Sequence, residues 1–173
     1  MFKKLILTFF ILLITSPIQA SEAALKLPKG VIPLADKTTK PLILNDMDGE
    51  QRDIANERGH WVFVHFWASW CGPCRREMPT IQKIVSELEQ DKMVIYLINT
   101  AEDEDTVFEF LSSVAPDLTP LMDTDGLVTE RWQPRGLPAT FLVDPNGIPR
   151  YVALGGRPWD QAQYLDFLKS LYQ

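Results

Sequence analysis

The sequence is short of cysteine and histidine, with two of each among 173 residues. A zinc site would need all four: His60, His65, Cys71 and Cys74. If residues 61–67 form a strand, the two histidines stand about 16 Å apart along it, at about 3.3 Å per residue. They cannot share one ion at bond lengths of about 2 Å. No metal and no cofactor is expected. Basic residues form no cluster beyond Arg75-Arg76, which argues against nucleic acid as a partner. Beyond the first twenty residues, no segment is apolar enough to cross a membrane. There are no internal repeats and no low-complexity stretch. Acidic residues number 23 against 17 basic ones, a balance read as solubility rather than as a particular partner.

The chemistry concentrates in Trp70-Cys71-Gly72-Pro73-Cys74. An apolar stretch over 61–67 precedes it. After it, Met78, Ile81, Ile84, Val85 and Leu88 recur at helical spacing. Strand, short turn and helix place Cys71 at a helix N-terminus. Unpaired N–H groups there point outward and carry partial positive charge. A thiolate is stabilised in that field, so Cys71 is expected to ionise below the usual thiol range. A shift from roughly 8.5 to roughly 7 raises the thiolate fraction at neutral pH from a few per cent to about half, worth about 2 kcal/mol. Cys74, one turn further in, would be shielded by the helix and ready to attack a mixed disulfide at Cys71. As a staple, so small a ring contributes about 2 kcal/mol, against about 3 kcal/mol for a loop of about 15 residues. Two idle thiols fit these neighbours poorly. The pattern reads as a dithiol redox centre.

Residues 1–20 read as a secretory signal. Lys3 and Lys4 form its basic start, residues 5–14 its apolar core, Ser16-Pro17 a break, and Ala20 a small residue at the cut. The core falls well short of the roughly 18–20 residues that span a bilayer. An uncleaved anchor is the alternative. Cleavage leaves 15 basic residues against 23 acidic, with no stable membrane insertion. Residues 21–41 contain three prolines and little periodicity and read as a linker. Residues 42–173 suffice for one domain with a full core.

Within that domain the pattern predicts a hairpin over 42–54 around Gly49. Buried strands follow over 61–67 and 93–98, with a helix over 74–89 between them, a parallel βαβ unit. Pro79 should kink that helix or break its second turn. A helix over 102–115, a short strand over 118–122 and a short helix over 127–132 come next. Strands over 141–143 and 150–154 flank a turn at 144–147. Asp160 should open the last helix, with Tyr164, Leu165, Leu168 and Leu171 on its inner face.

The run Val64-His65-Phe66-Trp67-Ala68-Ser69-Trp70-Cys71-Gly72-Pro73-Cys74-Arg75-Arg76-Glu77-Met78-Pro79 resembles the active-site segment of the thioredoxin superfamily. Its tail, from Arg75 to Pro79, is similar to that of the TlpA/ResA-like group of membrane-anchored or periplasmic thiol–disulfide oxidoreductases. The similarity extends from about residue 38 to the C-terminus. It implies an α/β, thioredoxin-like fold: a central mixed sheet flanked by helices, with an N-terminal β-hairpin extension. It implies a cis Pro138 beside the cysteines, leaving the backbone of Leu137 free to pair with an extended substrate; an ordinary trans turn proline is the alternative. The family's usual Thr after that proline is here Ala139, then Thr140.

The resemblance also implies an active-site role for Glu77, three residues after Cys74 on the same helix face, where a carboxylate can accept a thiol proton. The plain alternative is a solvated first-turn glutamate that favours the helix dipole. At His65, thioredoxins carry a buried acid and TlpA-like proteins often an amide. It is either a core histidine satisfied by a hydrogen bond or a neutral imidazole exchanging a proton with Cys74. Substrate docking would fall to Trp70, Gly72, Pro73 and Leu137; for Trp70 and Trp67 plain core packing is an equal reading. Gly72-Pro73 resembles the reducing members of the superfamily.

Together these imply an exported, periplasmic thiol–disulfide oxidoreductase, mainly a disulfide reductase. Its electrons would come from a membrane thiol donor of DsbD/CcdA type. Its substrates would be disulfide-bearing proteins such as apocytochrome c, copper-site assembly proteins or misoxidised proteins. A disulfide oxidase or isomerase, and a non-catalytic binding or chaperone-like protein, stay open.

Overall fold

The computed structural model describes residues 26–35 and 38–173; the expected signal segment lies outside them. The strands are β1 (Val31–Pro33), β2 (Ile43–Asp46), β3 (Gln51–Asp53), β4 (Trp61–Trp67), β5 (Met93–Thr100), β6 (Pro120–Asp123), β7 (Ala139–Val143) and β8 (Pro149–Leu154). The helices are α1 (Gly72–Glu87), α2 (Glu104–Val114), α3 (Leu127–Trp132) and α4 (Ala162–Ser170). All eight strands form one sheet in the order β1-β8-β7-β4-β5-β6-β2-β3. β4, β5 and β6 run parallel, and the other pairings are antiparallel. This is the thioredoxin-like mixed sheet, with the β2–β3 hairpin added at the β6 edge. No helix among the described residues is long and apolar enough to cross a membrane.

β4 is buried along nearly its whole length, as a central strand covered on both faces must be. Alternation divides it. Phe63 and Trp67 join the core under α1, α2 and α4, with Met78, Ile81, Phe110 and Leu168. Val62, Val64 and Phe66 join the opposite layer, with Val128 and Trp132 of α3 and Phe141 of β7. His65 shares the parity of Phe63 and Trp67 and so lies on the α1 side.

Three expectations need correction. Val31–Pro33, inside the expected linker, is an edge strand paired antiparallel with Val152, Ala153 and Tyr151 of β8. Three residues are too few to show a period, and Pro33 suits only an edge. Pro79 does not break α1, which is continuous from Gly72 to Glu87. Pro79 and Arg75 are both exposed, so the carbonyl that loses its helical partner faces water. Asp160 does not cap α4. Gln161 holds that position without a side-chain bond, and Asp160 instead accepts a 2.8 Å bond from Lys83 of α1.

Candidate active site

β4 ends at Trp67, and Ala68, Ser69 and Trp70 turn the chain into α1. Cys71 is the N-cap of that helix, with extended φ and ψ of −78° and 106°, and a proline follows in the first turn. Pro at that place is pre-set for a helix start and gives up an N–H that has no helical partner. The Cys71 sulfur accepts from the Cys74 N–H at 3.3 Å. Cys71 and Cys74 are joined as a disulfide, with Cα atoms 5.2 Å apart. Cys71 stands at the helix entrance and Cys74 nearly one turn further in. Cys71 keeps 5% of its area exposed and Cys74 none. Between them, Gly72 and Pro73 are exposed, and Trp70 is 69% exposed.

The lip is braced from β5. The Glu102 carboxylate accepts from the Ser69 N–H at 2.7 Å, from the Ser69 hydroxyl, and from the Asn99 amide at 2.7 Å. Ala101 adopts φ of +57° as the chain leaves β5, a costly conformation for a residue with a Cβ. Asp103 then caps α2, and the Thr106 N–H and hydroxyl hold its carboxyl below the ordinary range. Arg75 donates to the Ser69 carbonyl at 3.1 Å and stands over the Phe110 ring. Sequence reasoning passed over Glu102. Its place just past the C-terminal end of a parallel strand beside β4 is where α/β sheets gather functional groups.

The floor lies beneath α1. Glu77 follows Cys74 by three residues and is 3% exposed, so it is not a solvated first-turn glutamate. Its Oε2 accepts from the Arg157 N–H at 2.8 Å. Its Oε1 stands 3.2 Å from Nε2 of the fully buried His65. These two atoms are within ion-pair range but lack the alignment of a hydrogen bond, and neither has another partner. His65 Nδ1 lies 2.9 Å from the Thr140 hydroxyl. That contact follows from register, because His65 and Thr140 are directly opposed on β4 and β7. In the sequence Thr140 stands out only as the threonine after Ala139, with no link to His65. An alternation count from Pro138 with an antiparallel β7 would have found it. The two ring nitrogens thus face the Thr140 hydroxyl and the Glu77 carboxylate.

The Leu137–Pro138 peptide is cis, as expected. The Pro138 carbonyl accepts from the Gly155 N–H at 2.8 Å. Gly156, the next residue, lies so near Pro73 that a Cβ there would meet the Pro73 carbonyl at 3.3 Å and Glu77 Oε2 at 3.6 Å. Through these contacts β7, the Gly155–Gly156 turn and the start of α1 form one continuous wall. A cleft of about 430 Å³ opens beside it, lined by Pro73, Arg76, Glu77, Gly156 and Arg157. Leu137 is half-buried just before β7. Trp67 and Trp70 part company: Trp67 is sealed in the core and Trp70 stands in solvent. Among the described residues, no group of three or more histidine, cysteine or carboxylate side chains is placed to hold a metal ion.

Residues 35–152 match the AhpC/TSA family model. The chain belongs to the AhpC/TSA family. Within that family the likeness is to ResA-type proteins. The thiol-disulfide oxidoreductase ResA of Bacillus subtilis is 30% identical over 113 residues, 65% of this chain and 63% of that one. ResA of Geobacillus thermodenitrificans is 29% identical over 133 residues, 76% of each chain. This chain thus spans under two thirds of the first relative and about three quarters of the second. Among solved structures, a protein assigned as the thiol:disulfide interchange protein DsbE of Chlorobium tepidum is 26% identical, with a TM-score of 0.70 over 86% of this chain and 100% of that one. StoA of Bacillus subtilis, 21% identical with a TM-score of 0.65 over 76% of this chain and 99% of that one, shares the fold. The names of these AhpC/TSA relatives agree with a redox role for the Cys71–Cys74 pair.

Proposed function

We propose that the protein is an exported thiol–disulfide oxidoreductase that mainly reduces disulfides. The observation that carries this reading is the placement of two bonded cysteines at a helix N-terminus, one with a narrow exposed edge and one sealed, with a buried carboxylate one turn beyond the sealed one. In the reduced enzyme the Cys71 thiolate attacks one sulfur of a substrate disulfide. The substrate's S–S bond breaks, its other sulfur leaves as a thiolate, and a mixed disulfide joins Cys71 to the substrate. Glu77 takes the proton of Cys74. The Cys74 thiolate then attacks the Cys71 sulfur, forming the Cys71–Cys74 bond and releasing the second substrate sulfur, which is protonated. The enzyme dithiol loses two electrons and the substrate disulfide gains them.

Trp70, Gly72 and Pro73 form the lip on which a substrate settles, and the backbone of Leu137 offers an extended segment a partner. The secretory character of residues 1–20 supports a site outside the cytoplasm, in the periplasm. A reductase in such an oxidising compartment needs a reduced thiol partner, which fits a membrane donor of DsbD/CcdA type. Disulfide-bearing proteins are its substrates, apocytochrome c and copper-site assembly proteins among them. Equilibration with glutathione tests the direction. A potential of roughly −220 to −280 mV is expected, and one of about −120 mV would make the protein an oxidase. Full function without either thiol would make it a binding protein.

A further inference from the structure

We propose that Thr140, His65 and Glu77 form a single proton-holding chain behind Cys74, with Thr140 and His65 as positioning residues for the Glu77 carboxylate; this rests on the reductase reading above. The three side chains come from β7, β4 and α1, and at most 3% of any of them is exposed. Thr140 Oγ1 lies 2.9 Å from His65 Nδ1, and His65 Nε2 lies 3.2 Å from Glu77 Oε1. His65 Nε2 and Glu77 Oε1 have no other partner. Two unsatisfied polar atoms facing each other in a dry core are costly. A proton shared between them removes that cost.

Thr140 fixes the tautomer of the imidazole. Its hydroxyl donates to Nδ1, so the single ring hydrogen sits on Nε2 and faces the Glu77 carboxylate. When the proton of Cys74 arrives it stays on the Glu77 carboxyl, at the oxygen turned away from the ring, and Oε1 goes on facing the Nε2–H. The ionised and the protonated carboxyl are both satisfied in this arrangement, with no water entering. The Glu77 Oε2 bond to the Arg157 N–H holds the carboxylate in place throughout. The groups facing this pair are few. They are Thr140 from β7, Cys74 from α1, the Arg157 backbone from the loop after β8, and Arg76 and Arg157 along the adjoining cleft. From β5, the residue in register with His65 is Leu97, which does not titrate.

The chain predicts a specific pattern in the two halves of the reaction. Full-length reduced protein is mixed with a symmetric chromogenic aryl disulfide, and the two aryl thiols released are timed separately. The first release reports Cys71 attack; the second reports Cys74 attack on the mixed disulfide. Thr140→Val should slow the second release relative to the first by about tenfold at neutral pH. The pH at which the second release reaches half its plateau should rise. Thr140→Ser, which keeps the hydroxyl, should restore both. His65→Asn should match Thr140→Val, and the double variant should be no slower than His65→Asn alone, since members of one chain do not add. Losses that multiply, or a Thr140→Val profile identical to wild type while Glu77→Gln still alters the second release, would overturn the chain and leave Glu77 as a lone base. If Glu77→Gln also leaves the second release and its pH profile as in the wild type, the broader reading of Glu77 falls as well. A first release at the wild-type rate shows in each variant that the fold and Cys71 are intact.

Discussion

Cys71 and Cys74 are bonded neighbours, yet their surroundings differ more than those of many residues far apart. The lip around Cys71 is open: Trp70, Gly72, Pro73, Arg75 and Arg76 are all exposed. The floor around Cys74 is closed, with Cys74, His65, Glu77 and Thr140 between 0 and 3% exposed. The lip is held by a carboxylate that accepts from the backbone and side chains of β4's exit and β5. The floor is held by side chains across β7, β4 and α1, with one backbone N–H, that of Arg157, on the Glu77 carboxylate. In the proposed reaction, one helix turn thus divides approach from proton handling. The N-cap sulfur accepts from a helical N–H beside the open lip, while the sulfur three residues on is fully enclosed.

The largest effects should come from separating the two thiols. Cys71→Ser is expected to abolish disulfide reduction, since no nucleophile remains at the lip. Cys74→Ser should still attack but stall as a mixed disulfide, detectable as a covalent adduct by mass spectrometry. Alkylation of the reduced wild type should modify Cys71 first, with an apparent pKa below about 8.5. Preferential alkylation of Cys74 would invert the assignment of lip and floor.

Next in size is Glu77→Gln. It keeps the shape and removes the base, so the second thiol release should slow by about a hundredfold. The first should slow far less. The pH dependence of the second step should flatten between about pH 5 and 9, read by stopped-flow absorbance. A second release as fast as wild type across that range would return Glu77 to a structural role.

The lip was legible in the sequence because it is local. Strand, turn and helix follow one another over 61–87, so Cys71 at the cap and Cys74 inside could be placed by counting. Pro138 was legible only through resemblance, since nothing in its neighbours places it beside residue 71. The floor was half legible. Strand parity puts His65 on the α1 face and helix spacing puts Glu77 below Cys74, but Thr140 depends on the antiparallel register of β7 against β4, set by contacts 75 residues apart in the chain. Glu102 was missed because a glutamate at the start of a helix reads as a dipole partner, and nothing local reveals that it has turned toward Ser69. β1 was missed because an edge of three residues carries no period.

Smaller effects should follow from loosening the brace of the lip. Glu102→Ala strips the acceptors from the Ser69 N–H, the Ser69 hydroxyl and the buried Asn99 amide. Leaving such donors unpaired should cost about 2 kcal/mol, which for a domain of this size lowers the melting temperature by roughly 4–8 °C. Calorimetry reads the loss, and the same variant should raise KM more than it lowers kcat, because the brace positions the lip and leaves the floor alone. An equal fall in the second-release rate would show that the two regions are coupled through α1.

The smallest expected effect is at Trp70, and it isolates the lip most cleanly. Trp67 and Trp70 are the same residue type three positions apart. Trp67 ends β4 on the buried parity, fully enclosed and 5.6 Å from the Phe110 ring. Trp70 comes after the strand has ended and turned, and 69% of it remains in solvent. A large ring held at that exposure by a braced loop covers little core, so Trp70→Ala should change stability by no more than about 0.5 kcal/mol. Its contribution must then appear on binding. As an aromatic anchor at the edge of a docking surface it should be worth about 1 kcal/mol, or about fivefold in KM for a folded protein substrate. Steady-state kinetics with such a substrate at several concentrations separates KM from kcat. A KM equal to the wild type's would mean that substrates settle on Gly72, Pro73 and the Leu137 backbone alone, and that the exposed ring at the lip serves no partner of this reaction.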